Sequence, residues 1–173
     1  MDIIDTNFDN LKIVNFFKAD DLRGAFIKPF TNELSAVMEN ISEVYFSSSK
    51  KNVFRGLHFQ SGAAAQSKFV CCLAGQIEDV AIDLRKEKKT YGNVFRIKLN
   101  AFENKGVIIP GGFAHGIYAH EDSTIVNFCD KPYSPGNEGG ICPTTVDEIS
   151  DLNIEIISEK DKSLPSFKKI ING

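Results

Sequence analysis

Three histidines, His58, His115 and His120, are all that this 173-residue chain offers to chemistry requiring an imidazole. His58 stands in Phe54-Arg55-Gly56-Leu57-His58-Phe59-Gln60, where period-two alternation gives it a face in common with Gly56 and Gln60. A glycine on that face permits a bulge or the close approach of a ligand. The segment fits a polar pocket, and it equally fits a satisfied core histidine. His115 closes Pro110-Gly111-Gly112-Phe113-Ala114-His115-Gly116, a glycine-rich turn that delivers an imidazole to a strand. Such a turn lets backbone approach a ligand, although a tight barrel corner uses the same residues. His120, followed by Glu121 and Asp122, reads as an exposed loop residue without a role.

Two further side chains have chemical reach. Lys68 follows the small-residue loop Ser61 to Ser67 and precedes an apolar strand, so it is either a snorkelling surface cation or a charge aimed inward. Tyr133 is held between Pro132 and, two residues on, Pro135, which suits a positioned phenol and equally a rigid turn. Cys71, Cys72, Cys129 and Cys142 have no C-x-x-C spacing, and the first two lie in an apolar run. They are expected to be buried free thiols.

The elements that must position these residues are strands. Val53 to Gln60, Lys68 to Leu73, Gln76 to Leu84, Phe95 to Leu99, Val107 to Ile109, Ile117 to Ala119 and Thr124 to Cys129 are short β-branched or aromatic runs. In Gln76 to Leu84, Val80, Ile82 and Leu84 share one face, and Asp79, Ala81 and Asp83 the other. Strands spaced about ten residues apart, with almost no 3.6 period, argue for an antiparallel sandwich or barrel. Thr31 to Met38 is the best helix candidate, with Thr31 as N-cap and Glu33 in the first turn. The segment from Ser163 to Gly173 forms a short helix or lies extended.

Composition narrows the functions. With 42% hydrophobic residues and no internal linker, the chain is expected to fold as one domain over residues 1–173. A net charge of -3 disfavours nucleic acid as a partner. The acidic start Met1-Asp2-Ile3-Ile4-Asp5 lacks a secretory pattern, and no apolar run reaches the roughly 20 residues that span a bilayer. A cytoplasmic protein with no membrane partner is expected. A metal-dependent cupin enzyme would need a His-x-His pair, which the sequence lacks, so neither a metal nor another cofactor is expected.

Singly these signals are unspecific; their order is not. Arg55-Gly56-Leu57-His58-Phe59-Gln60, Gln66-Ser67-Lys68, Asp79 to Arg85, Pro110 to Gly116, Tyr133-Ser134-Pro135 and Ser158-Glu159-Lys160-Asp161 occur in sequence. Together they resemble the dTDP-4-dehydrorhamnose 3,5-epimerase family, from about residue 10 to residue 167. Leu22-Arg23-Gly24-Ala25-Phe26-Ile27-Lys28 is similar to that family's N-terminal arginine-glycine motif. The resemblance implies an all-β, cupin-like jelly roll with short peripheral helices, and an epimerase acting without a metal. Its substrate would be a nucleoside-diphosphate 4-keto-6-deoxyhexose, inverted at C3, C5 or both.

By that resemblance His58 is the base, Asp161 orients it, Lys68 stabilises the enolate oxygen and Tyr133 returns a proton from the opposite face. Arg55 and His115 would meet the diphosphate, Gln60 would join the substrate-binding set, and Arg23 with Phe26 would reach the nucleotide end across a homodimer interface. The chain also departs from the family. Lys28 stands where a glutamate is common, Glu43-Val44-Tyr45-Phe46-Ser47 replaces a more polar stretch, and tryptophans expected near the C-terminal motif are missing. These changes leave thymidine, cytidine and guanosine open as the base, and single-centre inversion open as the reaction. A binding module without catalysis is the reading of another class; the joint presence of His58, Lys68, Tyr133 and Asp161 speaks against it.

Overall fold

The computed structural model describes residues 1–38 and 40–173. Its strands are β1 (Asp2–Asp5), β2 (Lys12–Asn15), β3 (Phe17–Asp21), β4 (Gly24–Lys28), β5 (Glu43–Ser49), β6 (Phe54–Gln60) and β7 (Lys68–Ala74). They continue with β8 (Gln76–Asp83), β9 (Val94–Asn100), β10 (Lys105–Ile109), β11 (Phe113–Ala119), β12 (Ser123–Cys129) and β13 (Glu138–Gly140). Two short helices follow, α1 (Glu159–Lys162) and α2 (Phe167–Asn172).

The strands form a six-stranded sheet in the order β1-β2-β10-β7-β12-β5 and a five-stranded sheet in the order β13-β6-β11-β8-β9. All their pairings are antiparallel. The β3–β4 hairpin stands as a separate two-stranded sheet. This is the expected jelly-roll sandwich.

Apolar material is layered three deep. Val70, Cys72, Ile77, Leu99, Val107 and Ile117 fill the space between the sheets. Alternate residues of the same strands face outward yet remain covered. Phe69, Cys71 and Ile108 pack under Leu34 and Met38, and Leu57, Val80 and Ile82 pack under Ile141, Val146 and Ile149. Burial on both faces explains why Phe69 to Cys72 reads as an unbroken apolar run rather than an alternating one. It also inverts the simplest reading of β8: its aliphatic face turns outward, and Asp79 and Ala81 turn toward the interior. All four cysteines are free and buried, as expected.

The helix expected over 31–38 is instead a 3-10 turn at Asn32–Ala36. Thr31 occupies the N-cap position, but its hydroxyl makes no cap hydrogen bond and lies buried without a partner among the described residues. One uncapped turn lacks the hydrogen bonds that would offset helix nucleation. At the other end α2 does form, with the Ser166 hydroxyl accepting from the Lys169 N–H.

Strands β6 and β11 touch through backbone. A Cβ on Gly56 would lie 2.6 Å from the His115 carbonyl oxygen and 2.7 Å from Gly116 Cα, and Gly56 has φ +110°. A Cβ on Gly116 would lie 2.7 Å from the Arg55 carbonyl oxygen. Gly56→Ala is expected to lower the free energy of unfolding by about 2 kcal/mol or more in urea titration, because both conformation and space are wrong for a side chain. An unchanged midpoint would show that the two strands can separate at no cost.

Candidate active site

The glycine contact sets the site. Register runs His115 with His58 and Ile117 with Arg55, so two steps on β11 match three on β6. The extra residue is a bulge, which reverses the in-out alternation of β6 on one side of it. Arg55 and His58, three apart and destined for opposite faces of a regular strand, therefore line one cavity. Strict period two would have separated them.

His58 receives its partner from far along the chain. Ser158 caps α1 by accepting from the Asp161 N–H, which fixes Asp161 in the first turn. Asp161, 4% exposed, brings Oδ1 to 2.6 Å from His58 Nε2, and its Oδ2 accepts from the Gly56 N–H at 3.3 Å. A second pair lies beside the first: His115 Nε2 is 2.8 Å from Oδ2 of the fully buried Asp79. Two imidazole–carboxylate pairs thus sit on adjacent strands, and each acid commits one oxygen to one ring.

The opposite sheet supplies a cation. Lys68 opens β7 and faces a cavity of about 490 Å³ with Arg55, His58, His115 and Asp161, and a smaller one of about 250 Å³ with Gln60, Tyr133 and Glu138. Tyr45 lines both, and the Lys68 ammonium donates to its hydroxyl at 3.5 Å. Burial pushes Lys68 below the ordinary lysine value, outweighing the opposing pull of neighbouring acidic groups.

Tyr133 is half exposed at the rim, with its hydroxyl donating to Glu138 at 3.0 Å; that bond holds its pKa above the usual phenol value. Burial raises Glu138, but hydrogen bonds from Lys160 and Tyr133 bring it net below the ordinary carboxylate range. Gln60 lines the smaller cavity with its amide engaged on both ends. Its Nε2 donates to the Ala64 carbonyl, and its Oε1 accepts from the Ser134 N–H. It ties down the loop that carries Tyr133.

Other expectations come out differently. Arg55 donates to the Ser49 hydroxyl and the Ser48 carbonyl, which aligns its guanidinium along the cavity wall. Arg23 pairs with Asp21 and Phe26 lies 58% exposed on the β3–β4 hairpin, and neither lines either cavity. Lys28 places its ammonium 5.6 Å from the centre of the Phe26 ring. His120 is not an exposed loop ring. It packs edge-on to Tyr118 and bonds Glu78, which also holds Arg96, on the outer face of β8. Pairing with a buried acid draws the ring in.

Asp79 escaped sequence reasoning, although an acid amid apolar residues in a strand buried on both faces was its signal. Tyr45 escaped too; its signal was the alternation Glu43, Tyr45, Ser47, which gives the three a common face.

The family profile described as dTDP-4-dehydrorhamnose 3,5-epimerase matches residues 5–169. The chain belongs to the dTDP-4-dehydrorhamnose 3,5-epimerase family. It is 38% identical over 171 residues to the dTDP-4-dehydrorhamnose 3,5-epimerase of Methanothermobacter thermautotrophicus, covering 92% of this chain and 91% of that one. The crystal structure of the enzyme of that name from Sulfolobus tokodaii superposes with a TM-score of 0.88 at 33% identity, covering 97% and 96% of the two chains. The dTDP-6-deoxy-D-glucose-3,5-epimerase of Legionella pneumophila, solved in complex with dTDP-4-keto-L-rhamnose, gives 0.88 at 30% identity over 98% and 96%. Like these epimerases, the chain is a cupin-like jelly roll.

Burying the Lys68 ammonium costs the fold stability. Unfolded, Lys68 keeps its proton up to the ordinary lysine value; folded, it releases the proton earlier, so stability rises with pH only between those two points. Below the lower of those two points the whole cost is present. Lys68→Met is therefore expected to melt at or above the wild-type temperature in calorimetry. A fall of more than about 5 °C would mean that the ammonium stabilises the cavity.

Proposed function

We propose that this epimerase inverts carbons beside the C4 ketone of a nucleoside-diphosphate 4-keto-6-deoxyhexose, with His58 as base. The observation that carries the reading is the His58–Asp161 pair facing Lys68 across one cavity. An ionised Asp161 accepting from Nε2–H leaves the Nδ1 lone pair free to take a proton from carbon, and the carboxylate then steadies the imidazolium. As the C–H electrons move into the carbonyl, charge collects on the C4 oxygen, where the Lys68 ammonium compensates it. C3 and C5 flank the same ketone, so one base and one cation serve both carbons in turn. Tyr133 gives its own phenolic proton to the carbon from the opposite face and regains one from solvent, and Glu138 with Lys160 holds the phenol at the rim.

Arg55 and His115 bind the diphosphate in this reading. A guanidinium fork donates two hydrogen bonds at once, and Asp79 holds the His115 ring in place through Nε2. The nucleotide end is completed by Arg23 and Phe26 of a second copy. Two features support that homodimer: the hairpin bears Phe17, Leu22 and Phe26 to solvent, and the edge strand β5 leaves Val44 and Phe46 bare. Lys28 and the outward-facing Val44 and Phe46 of β5 are the positions at which base preference is set. A cytoplasmic site of action fits four thiols left unpaired. No helix among the described residues is long and apolar enough to cross a membrane.

In deuterium oxide, His58→Asn is expected to abolish deuterium uptake at C3 and C5, since a positioned base contributes roughly 100- to 10,000-fold; wild-type uptake would remove His58 from the mechanism. Tyr133→Phe is expected to retain uptake while losing inverted product, and undiminished product would dismiss it as the acid. Sedimentation of the wild type should show a dimer. A fully active monomer would refute the shared nucleotide site.

A further inference from the structure

Tyr45 has no task in the reaction above, yet its surroundings suit one. Strands β5, β12 and β7 are neighbours in the six-stranded sheet, with Tyr45 opposite Asn127 and Cys129 opposite Lys68. Tyr45, Asn127 and Lys68 line the same cavity as His58, which belongs to the other sheet. Lys68 donates to the Tyr45 oxygen, so the phenol's own proton points elsewhere, and among the described residues it meets no acceptor. Asn127 is 2% exposed, and its Oδ1 likewise has no hydrogen-bond partner. A buried polar group left unmatched, as Asn127 Oδ1 is, costs about 1–3 kcal/mol, a cost that a polar ligand in the cavity would relieve.

We propose that Tyr45 is a catalytic residue which, together with Lys68, donates a hydrogen bond to the C4 oxygen as that oxygen becomes an enolate. The proposal rests on the epimerase reading and adds a second donor to it. Donors 3.5 Å apart can both lie about 2.8 Å from a single oxygen, the separation required of an oxyanion site. The two are complementary in titration. Burial pushes the Tyr45 phenol well above its ordinary value, so it stays neutral and able to donate, whereas burial lowers Lys68. No bond to Tyr45 breaks in the step. The proton leaves carbon for His58, the electron pair moves onto oxygen, and the phenol's hydrogen bond strengthens with the charge. Such a bond favours the transition state over bound substrate and acts on kcat more than on KM.

The test is Tyr45→Phe, incubated with a dTDP-linked 4-keto-6-deoxyglucose in deuterium oxide, with uptake and inversion followed together. Both are expected to fall in parallel by about 100-fold, the usual effect of losing one oxyanion donor. KM and dTDP affinity should stay within threefold of wild type, and the melting temperature should be unchanged. Tyr45→Gln, which restores an N–H donor, should recover part of the loss and carries the same readout if the phenylalanine variant folds poorly. Undiminished uptake in Tyr45→Phe, or uptake retained while inversion is lost, would overturn the proposal; the second result would make Tyr45 a proton donor to carbon. Wild-type protein that exchanges no sugar proton would instead remove the epimerase reading, and this proposal with it.

Discussion

Everything in the cavity depends on two glycines that let β6 and β11 touch. The contact between Gly56 and Gly116 leaves no room for a Cβ on either strand, and the bulge beside it turns Arg55 to the side on which His58 already faces. The same bulge offers the Gly56 N–H to Asp161 Oδ2, while Asp161 Oδ1 holds the His58 ring. A backbone irregularity therefore fixes a guanidinium, an imidazole and a carboxylate relative to one another. Side-chain rotamers alone would hold them less well, since each would be free to turn.

The electrostatics follow a division of labour between sheets. The five-stranded sheet supplies both imidazole rings, with Asp161 reaching in from α1 and Asp79 buried beneath. The six-stranded sheet supplies the ammonium and a phenol that burial keeps neutral. A carbon acid placed between them meets a proton acceptor on one side and compensating positive charge on the other. Preorganised charge of this kind needs no reorganisation during reaction, and the desolvated Lys68 is its standing cost to the fold.

Much of this was legible in the residues. The strand series and the antiparallel class follow from period-two runs and turn punctuation, and the buried thiols from the apolar setting of Cys71 and Cys72. The ordered motifs brought Asp161 into view although it lies 103 residues from His58. What could not be read were effects of context. The bulge breaks the very periodicity by which strands are recognised, so only the resemblance names Arg55 as a substrate-binding residue. Burial of β8 on both faces hid Asp79 among residues that period two would send to solvent. The 31–38 segment carries helix signals, but a single turn packed through Leu34 is settled by its neighbours rather than by propensity. His120 looked solvated because its partner, Glu78, lies on another strand.

The outward face of the five-stranded sheet is covered by segment 141–170, which also carries Asp161. The ribosome releases that segment after every strand of both sheets. A nascent chain can pair its strands and form a cavity with His58 and Lys68 in place while the imidazole still lacks its carboxylate. Closing the pair and sealing Leu57, Val80 and Ile82 from water draw on the same segment, which reaches back across 103 residues to His58. One late stretch of chain thus supplies both the carboxylate that holds the His58 ring and the apolar cover of the sheet on which that ring stands.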